Sequence, residues 1–304
     1  MNNPKVSIVI SMHNRKPEII EVMDHLLFPS LLNNGGLDIE LILLNDCSSL
    51  KNETETLVGK YLPRLNEIFG KVIFSSSPAN LGFAGSYNRG IFMARGKYVV
   101  VANDDLYFPK NSIRSLVKTL EGPEGYLIAG PITNASSSWS YQYCKQAPLI
   151  LGYSSEEVAK LDAFAFWLDR NMYGRKVQTD NLCGFCFVAD SYTLKAVGGF
   201  DERYKYALYE DTDLIQKIIR DHGKEKIVVN LEVFVGHGGV KGSSGTILQQ
   251  PVKMACALVV NGIKYANNWG YWKLLRRIVF GMRSQITGGG TISELFPRKI
   301  LTKP

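Results

Sequence analysis

Three apolar runs constrain this chain more than any other feature. They are "KVSIVISMHN", "DIELILLND" and "KYVVVAND", and each stops on polar or acidic residues. "KVIFSSS" is a further strand-like run. Between them lie stretches with helical spacing: "PEIIEVMDHLLFPSLL", opened by Pro17, the broken "ETETLVGKYLPRLNEIFG", and "GSYNRGIFMARG", closed by Gly96. A strand without polar alternation is buried on both faces, as in parallel sheets. Strands alternating with helices make βαβ units. The expectation is an α/β protein with a mostly parallel, Rossmann-like sheet flanked by helices. Ligands of such sheets bind beyond the carboxyl ends of the strands, and the tails "MHNR", "NDCSS" and "ANDD" gather there.

"NSIRSLVKTLEG" predicts a helix started by Asn111 or Ser112 and stopped by Gly122. From about residue 130 the pattern weakens. "ITNASSSWSYQY" reads as loop, and "SSEEVAKLDAFAFWLDRN" as a helix with a Ser-x-x-Glu capping box. "NLCGFCFVADSYTLKAVGGF" reads as strand then helix, and "YEDTDLIQKIIRDHG" as a helix opening on acids. "IVVNLEVFVGHGG" is a strand running into a glycine-rich loop, and "GSSGT" is expected to be flexible. No linker divides the chain. One compact catalytic unit is expected over residues 1–245, with a helical extension over 246–304.

The net charge of +7 suits an anionic ligand, a membrane surface or a nucleic acid equally. Basic residues form no long run and are not interleaved with aromatics, so nucleic acid is not expected. No apolar stretch reaches the ~18 residues of a membrane span, and the strand-like opening leaves no reading of a secretory leader. The odd count of five cysteines argues against a disulfide framework and for a reducing, cytoplasmic setting. Cys183 and Cys186 form a C-x-x-C, but no second such pair completes a zinc site. Their apolar run "LCGFCFVAD" favours buried, structural cysteines.

The acids carry the chemistry. Asp104 and Asp105 end a buried strand side by side, and a divalent cation sharing its shell with ligand phosphates would stabilise them; a loop-initiating turn is the plainer account. Asp46 also follows a strand, where a carboxylate can read a base or ribose. Gly82 and Gly85 allow close backbone approach. Asp201, Glu202, Glu210, Asp211 and Asp213 crowd acids into one segment of a basic chain. The helix dipole accounts for Glu210 and Asp211 in one reading; a general base accounts for them in the other. His237, flanked by glycines at the end of the next strand, is a candidate metal ligand.

Taken together and in order, these motifs resemble the family 2 glycosyltransferases of GT-A fold, over roughly residues 4–240. "VSIVISMHNR" is similar to the opening strand and "LLNDCSS" to the Asp-Asp-Gly-Ser segment, which implies base contact for Asp46. "NLGFAGSYNRGI" resembles the Asn-x-Gly…Asn-x-Gly loop and implies donor-site roles for Asn80, Gly82, Asn88 and Arg89. "NDD" stands where the family has Asp-x-Asp, which implies Asn103 and Asp104 beside the donor and Asp105 on the metal. "GGFDERY…YEDTDL" resembles the acceptor segment, with Asp201, Glu202 and Glu210 on the acceptor side and Asp211 as base. His237 fits a later metal-ligating histidine. Asn103 replaces an acid, Met12 and His13 replace Thr and Tyr, and Cys47 replaces Gly.

The resemblance implies an inverting glycosyltransferase dependent on Mg²⁺ or Mn²⁺. It would move a hexose or rhamnose from a UDP- or dTDP-linked donor to a glycan or lipid-linked acceptor in surface polysaccharide synthesis. A nucleotidyltransferase and a nucleotide-sugar-binding protein without activity are the alternatives. The first would want glycines in "SMHNRKPE"; the second is opposed by an intact set of base and metal ligands. The tail "ANNWGYWKLLRRIVFGMRSQ" predicts a basic, aromatic, amphipathic helix. Peripheral membrane contact, packing on the catalytic unit and a homodimer contact stay open for it.

Overall fold

The computed structural model describes residues 4–136, 141–150, 152–204, 208–238, 251–276 and 278. β1 (Val6–Met12), β2 (Ile39–Asn45), β3 (Lys71–Ser76) and β4 (Tyr98–Ala102) pair in parallel in the order β3-β2-β1-β4. β2 and β4 are buried along their whole length, and β1 everywhere but Ser11. This is what unbroken apolar runs require when both sheet faces are covered. Ile8 and Ile10 pack into one core, Val9 and Ile42 into the other.

Beyond β4 the direction reverses. β8 (Cys186–Asp190) runs antiparallel to both β4 and β6 (Ile128–Ile132). β6 then continues parallel to β9 (Ile227–Phe234), and β7 (Lys176–Gln178) closes the far edge antiparallel. The eight-stranded sheet thus has the order β3-β2-β1-β4-β8-β6-β9-β7. A second, two-stranded sheet pairs β5 (Leu106–Tyr107) with β10 (Gly236–His237).

The first helical stretch is one continuous rod of α1 (Pro17–Val22), a π segment (Met23–Leu27) and α2 (Phe28–Leu32). Pro29, which has no N–H to donate, sits at the π-to-α join. α3 (Lys51–Ile68) and α4 (Gly82–Met93) follow. A side chain at Gly90 of α4 would collide with Val9, so that glycine sets how closely the helix lies on β1. α5 (Ser112–Glu121) starts after Asn111 and ends at Gly122. α6 (Ser155–Asn171) carries the expected capping box of Ser154 and Glu157. α7 (Ser191–Ala196) and α8 (Glu210–His222) complete this part.

The extension differs from its prediction. α9 (Pro251–Trp269) begins earlier than the tail motif, and Gly270, at φ 93°, breaks it before a short helical stretch at 271–276. One face of α9 packs on the body: Tyr265 joins Tyr204 and Tyr209 in a third apolar cluster. Val259, Val260 and, past the break, Trp272 stay exposed. Residues 242–246 and the tail positions Arg277, Val279, Phe280 and Arg283 lie outside the described residues. No helix among the described residues is long and apolar enough to cross a membrane.

Candidate active site

β4 ends at Ala102, and the next three residues turn into β5. The Asn103 amide donates to the Phe185 carbonyl at 2.8 Å, and its side-chain oxygen accepts from the Tyr87 hydroxyl at 3.2 Å. Asp104 and Asp105 are 4% and 3% exposed. Burial, and next the charge of Asp105, push the Asp104 carboxyl up to about 8.

β10 lies against β5 with His237 opposite Leu106, which brings His237 Nε2 to 3.2 Å from Asp105 Oδ1. The ring is fixed from behind. Its Nδ1–H donates to the Ala135 carbonyl at 2.7 Å, while the His237 amide donates to Asn134 Oδ1 at 2.7 Å. Because a carbonyl only accepts, Nδ1 carries a proton and Nε2 is the atom that faces Asp105. Despite their closeness, neither Nε2 nor Asp105 Oδ1 forms a hydrogen bond of proper geometry, nor does Asp104 Oδ2. Burial works against charge on His237, but Asp105 foremost, then Ala135 and Asp104, outweigh it and raise its affinity for a proton.

His237 Nε2 and Asp105 Oδ1, buried 3.2 Å apart, form an ion pair when Nε2 carries a proton, and a bound cation could take that proton's place. No group of three or more His, Cys, Asp or Glu that could hold a metal exists among the described residues. The protein therefore offers a pair of donors, Asp105 and His237. That fits an ion whose other positions are filled by phosphate oxygens and water, the usual habit of Mg²⁺.

The strand end also predicts a pH effect. Asp104 ordinarily ionises near 3.8, and its folded value is about 8. Between those values folding takes up a proton, so stability falls as pH rises. The raised value of His237 acts in the same direction: its contribution is present at low pH and lost as pH climbs through the folded value. With chelator present, Asp104→Asn should gain in melting temperature relative to wild type between about pH 5.5 and about pH 8.5. A gap that stays constant across that range would refute the assignment.

Asp211 stands in the first turn of α8. Its Oδ1 accepts from the Thr212 amide at 2.6 Å and hydroxyl at 3.1 Å, and its Oδ2 accepts from the Gly184 amide at 3.2 Å. A β-carbon on Gly184 would lie 3.3 Å from that of Asp211 and 3.2 Å from the Phe83 ring, so a larger residue would press on the acid. Phe185 follows directly. Its carbonyl holds the Asn103 amide, and its ring stacks on His237 at 5.1 Å between centroids. Asp211, His237 and Asn103, the residue after β4, thus all touch the short connection at 184–185.

The apolar run "LCGFCFVAD" suggests a strand throughout, but β8 starts only at Cys186; the residues before it form this connection. Cys183 and Cys186 are free thiols, and burial pushes the Cys186 thiol well upward. Gly184 and Phe185 were not picked out from sequence. The available signal was a glycine interrupting an apolar run.

The other expected donor-side residues are braced in the fold. Asp46 is 2% exposed, and its two oxygens accept from the Leu81 and Gly82 amides at 2.8 and 3.0 Å, where the loop enters α4. Asn80 Oδ1 also accepts from the Gly82 amide at 2.7 Å. His13 Nδ1–H donates to the Asp46 carbonyl at 2.6 Å, so Nε2 accepts from Arg15 at 2.7 Å and Asn80 at 2.8 Å. Burial foremost, with Arg15 helping, lowers the proton affinity of that ring. Cys47 holds φ 53°, a left-handed conformation that glycine adopts without strain.

Asn88 and Arg89 are hydrogen-bonded within the fold. Asn88 is buried and exchanges hydrogen bonds with Phe200 at 2.8 and 2.9 Å, and donates to Glu202 at 2.9 Å. Arg89 donates to Ser77 and Ser75 at 2.8 and 2.6 Å. Asp201 pairs with Arg203 at 2.6 Å. Glu210 is buried in the same turn of α8 as Asp211.

A family model described as "Glycosyl transferase family 2" matches residues 7–192. The chain is 33% identical over 118 residues to the uncharacterized glycosyltransferase EpsJ of Bacillus subtilis, covering 39% of this chain and 31% of that protein. It is 23% identical over 133 residues to the glycosyltransferase GlyG of Streptococcus pneumoniae, covering 44% and 40%. The matched stretches thus span well under half of those relatives' lengths. Among solved structures, S. aureus TarS 1-349 in complex with UDP-GlcNAc superposes with a TM-score of 0.58 at 14% identity, over 97% of this chain and 76% of that one. The mannosyltransferase PcManGT from Pyrobaculum calidifontis, in complex with GDP-Man and Mn²⁺, gives 0.55 at 14% identity, over 97% and 79%. At such identities the likeness is one of fold, and the fold is that of the GT-A glycosyltransferases.

Proposed function

The chain belongs to glycosyl transferase family 2, and from that premise we propose that it transfers a sugar from a nucleoside-diphosphate sugar to an acceptor hydroxyl with inversion. The observation that carries this reading is the connection at 184–185, which touches Asp211 through the Gly184 amide and His237 through the Phe185 ring. That Asp211 and His237 meet one connection supports reading them as parts of a single site.

Asp105 and His237 would hold a divalent cation, which when bound supplies Lewis-acid stabilisation of the diphosphate leaving group. Asp211 takes the proton of the incoming hydroxyl. The acceptor oxygen forms its bond to the anomeric carbon as the bond from that carbon to the phosphate oxygen breaks. The electron pair leaves on the diphosphate, and attack from the face opposite the leaving group inverts the centre. Burial of Asp104 and Asp105 excludes water from the end of β4, which strengthens every charge interaction there.

His13, Arg15 and Asn80, linked around Asp46, stand at the ends of β1 and β2, where a nucleoside would lie in an α/β sheet. UDP-linked or dTDP-linked donors are our reading. The acceptor is read as a glycan or lipid-linked glycan of a surface polysaccharide, with a hexose or rhamnose transferred. Peripheral membrane contact or self-association would use the exposed side of α9.

A thermal-shift series with UDP-GlcNAc, UDP-glucose, dTDP-rhamnose and GDP-mannose, each with and without Mn²⁺, tests the donor class. At least one should raise the melting temperature only when metal is present, and release free nucleotide on incubation. No metal-dependent shift with any of them would refute the proposal.

A further inference from the structure

Asp213 lies two residues beyond Asp211 and is fully buried, yet it has no part in the reaction proposed above. Its Oδ1 accepts from the Trp269 indole N–H at 2.7 Å, from Asn268 at 3.3 Å and from the Tyr204 hydroxyl at 3.2 Å. Lys217 lies 3.4 Å from its other oxygen. Trp269 is the last residue of α9, so a charge-assisted bond ties the end of the extension to the first turn of the helix that carries Asp211.

Further ties join α9 and the residues after it to residues 203–216. Lys264 donates to the Arg203 carbonyl at 2.5 Å, Asn261 to the Leu208 carbonyl at 3.0 Å, and Lys273 to Gln216 at 2.7 Å. The Tyr265 ring lies 5.5 Å from that of Tyr209. Tyr209 immediately precedes Glu210 and holds φ 74°, a left-handed conformation unusual for a bulky residue. Such a conformation persists only where surroundings over-determine it. α9 supplies those surroundings: the Tyr265 ring packs against the Tyr209 ring at a tilt of 37°, and the Tyr209 hydroxyl lies beside Gly262.

We propose that α9 is a strap that sets the pose of the base, with Trp269 and Asn268 as positioning residues acting through Asp213. This rests on the reading of Asp211 as base. The strap fixes Tyr209 and Asp213 on either side of Glu210 and Asp211, so the entry of α8 is clamped before and after the acid. Misplacing a reacting group by ~1 Å can cost ~100-fold in rate, which makes such a clamp consequential.

Trp269→Phe keeps an aromatic ring between Arg220 and Lys273 but removes the indole N–H; Asn268→Ala removes the weaker donor. Both are tested as full-length protein. Hydrogen exchange should speed up by tenfold or more at the amides of residues 210–213 in Trp269→Phe, with β1, β2 and β4 unchanged. Nucleotide release from the donor that gives the metal-dependent thermal shift should fall by about tenfold or more at unchanged donor affinity, and Asn268→Ala should fall less. Unaltered exchange at 210–213, or a release rate within twofold of wild type, overturns the strap. A wild-type protein that shows no metal-dependent donor binding instead sinks the proposed function, and the exchange measurement still decides whether α9 clamps α8.

Discussion

Asp211→Asn should bind the nucleotide sugar as wild type does and lose transfer. The substitution keeps the shape of the side chain. Both carboxylate oxygens of Asp211 accept from backbone donors, Gly184 on one side and Thr212 on the other. An amide can satisfy only one of them with oxygen and must turn its NH₂ toward the other, so the side chain is reoriented as well as stripped of basicity. A positioned general base commonly contributes ~10²–10⁴-fold, and the release or transfer rate should drop by that order. Donor affinity by calorimetry should be unchanged, because the proposed metal ligands lie elsewhere, Asp105 in the turn before β5 and His237 on β10. A rate within tenfold of wild type would remove Asp211 from the role of base.

The second large effect belongs to the other end of the constellation. Asp105→Ala should abolish the metal-dependent part of donor binding, and His237→Ala should do the same. Groups that merely orient a metal ligand cost ~10–100-fold in metal affinity when removed, so deletion of one ligand of a pair should cost at least that. The two variants should resemble each other more than either resembles Asp104→Asn, since among the described residues the ion pair of His237 is with Asp105. Calorimetry of Mn²⁺ with the donor measures this; an unchanged affinity in Asp105→Ala would place the cation elsewhere.

Much of this arrangement was legible in the sequence. The unbroken apolar runs gave the strands β1, β2 and β4, because two covered faces leave no polar alternation to obscure them. The acids at the ends of β2 and β4, Asp46, Asp104 and Asp105, are buried there as the runs into them suggest. Less was legible where contacts join distant segments. β6 contains Gly130 and Pro131, and β7 is three residues long, so neither has a periodic signal. The direction of β8 is set by which neighbours it meets, a property of topology that no local run encodes.

The same holds for individual side chains. Asn88 and Arg89 sit in a loop-and-helix motif that implies a donor role, yet their partners are Phe200, Glu202, Ser75 and Ser77. Asparagine and arginine carry several donors, and sequence alone does not say which acceptors they find. Gly184 is visible in sequence only as an interruption; its purpose appears once Asp211 comes from α8 to lie against it. The amphipathic reading of the tail overlaps α9 only over its last four residues, and it did not reveal that Trp269 there is fastened to Asp213.

The reversed strand β8 has a consequence for how the molecule assembles. β1 to β4 pair with one another in the order β3-β2-β1-β4 and can close as soon as residues up to about 102 are available. β4 must then wait, with one edge open, until β8 arrives from the far side of α6. Pairings of such long separation are slow, and an uncovered apolar edge is where nascent chains stick to one another. His237 comes later still. In the order of synthesis, β1 to β4 are thus complete before β8 exists to cover the open edge, and before His237 exists.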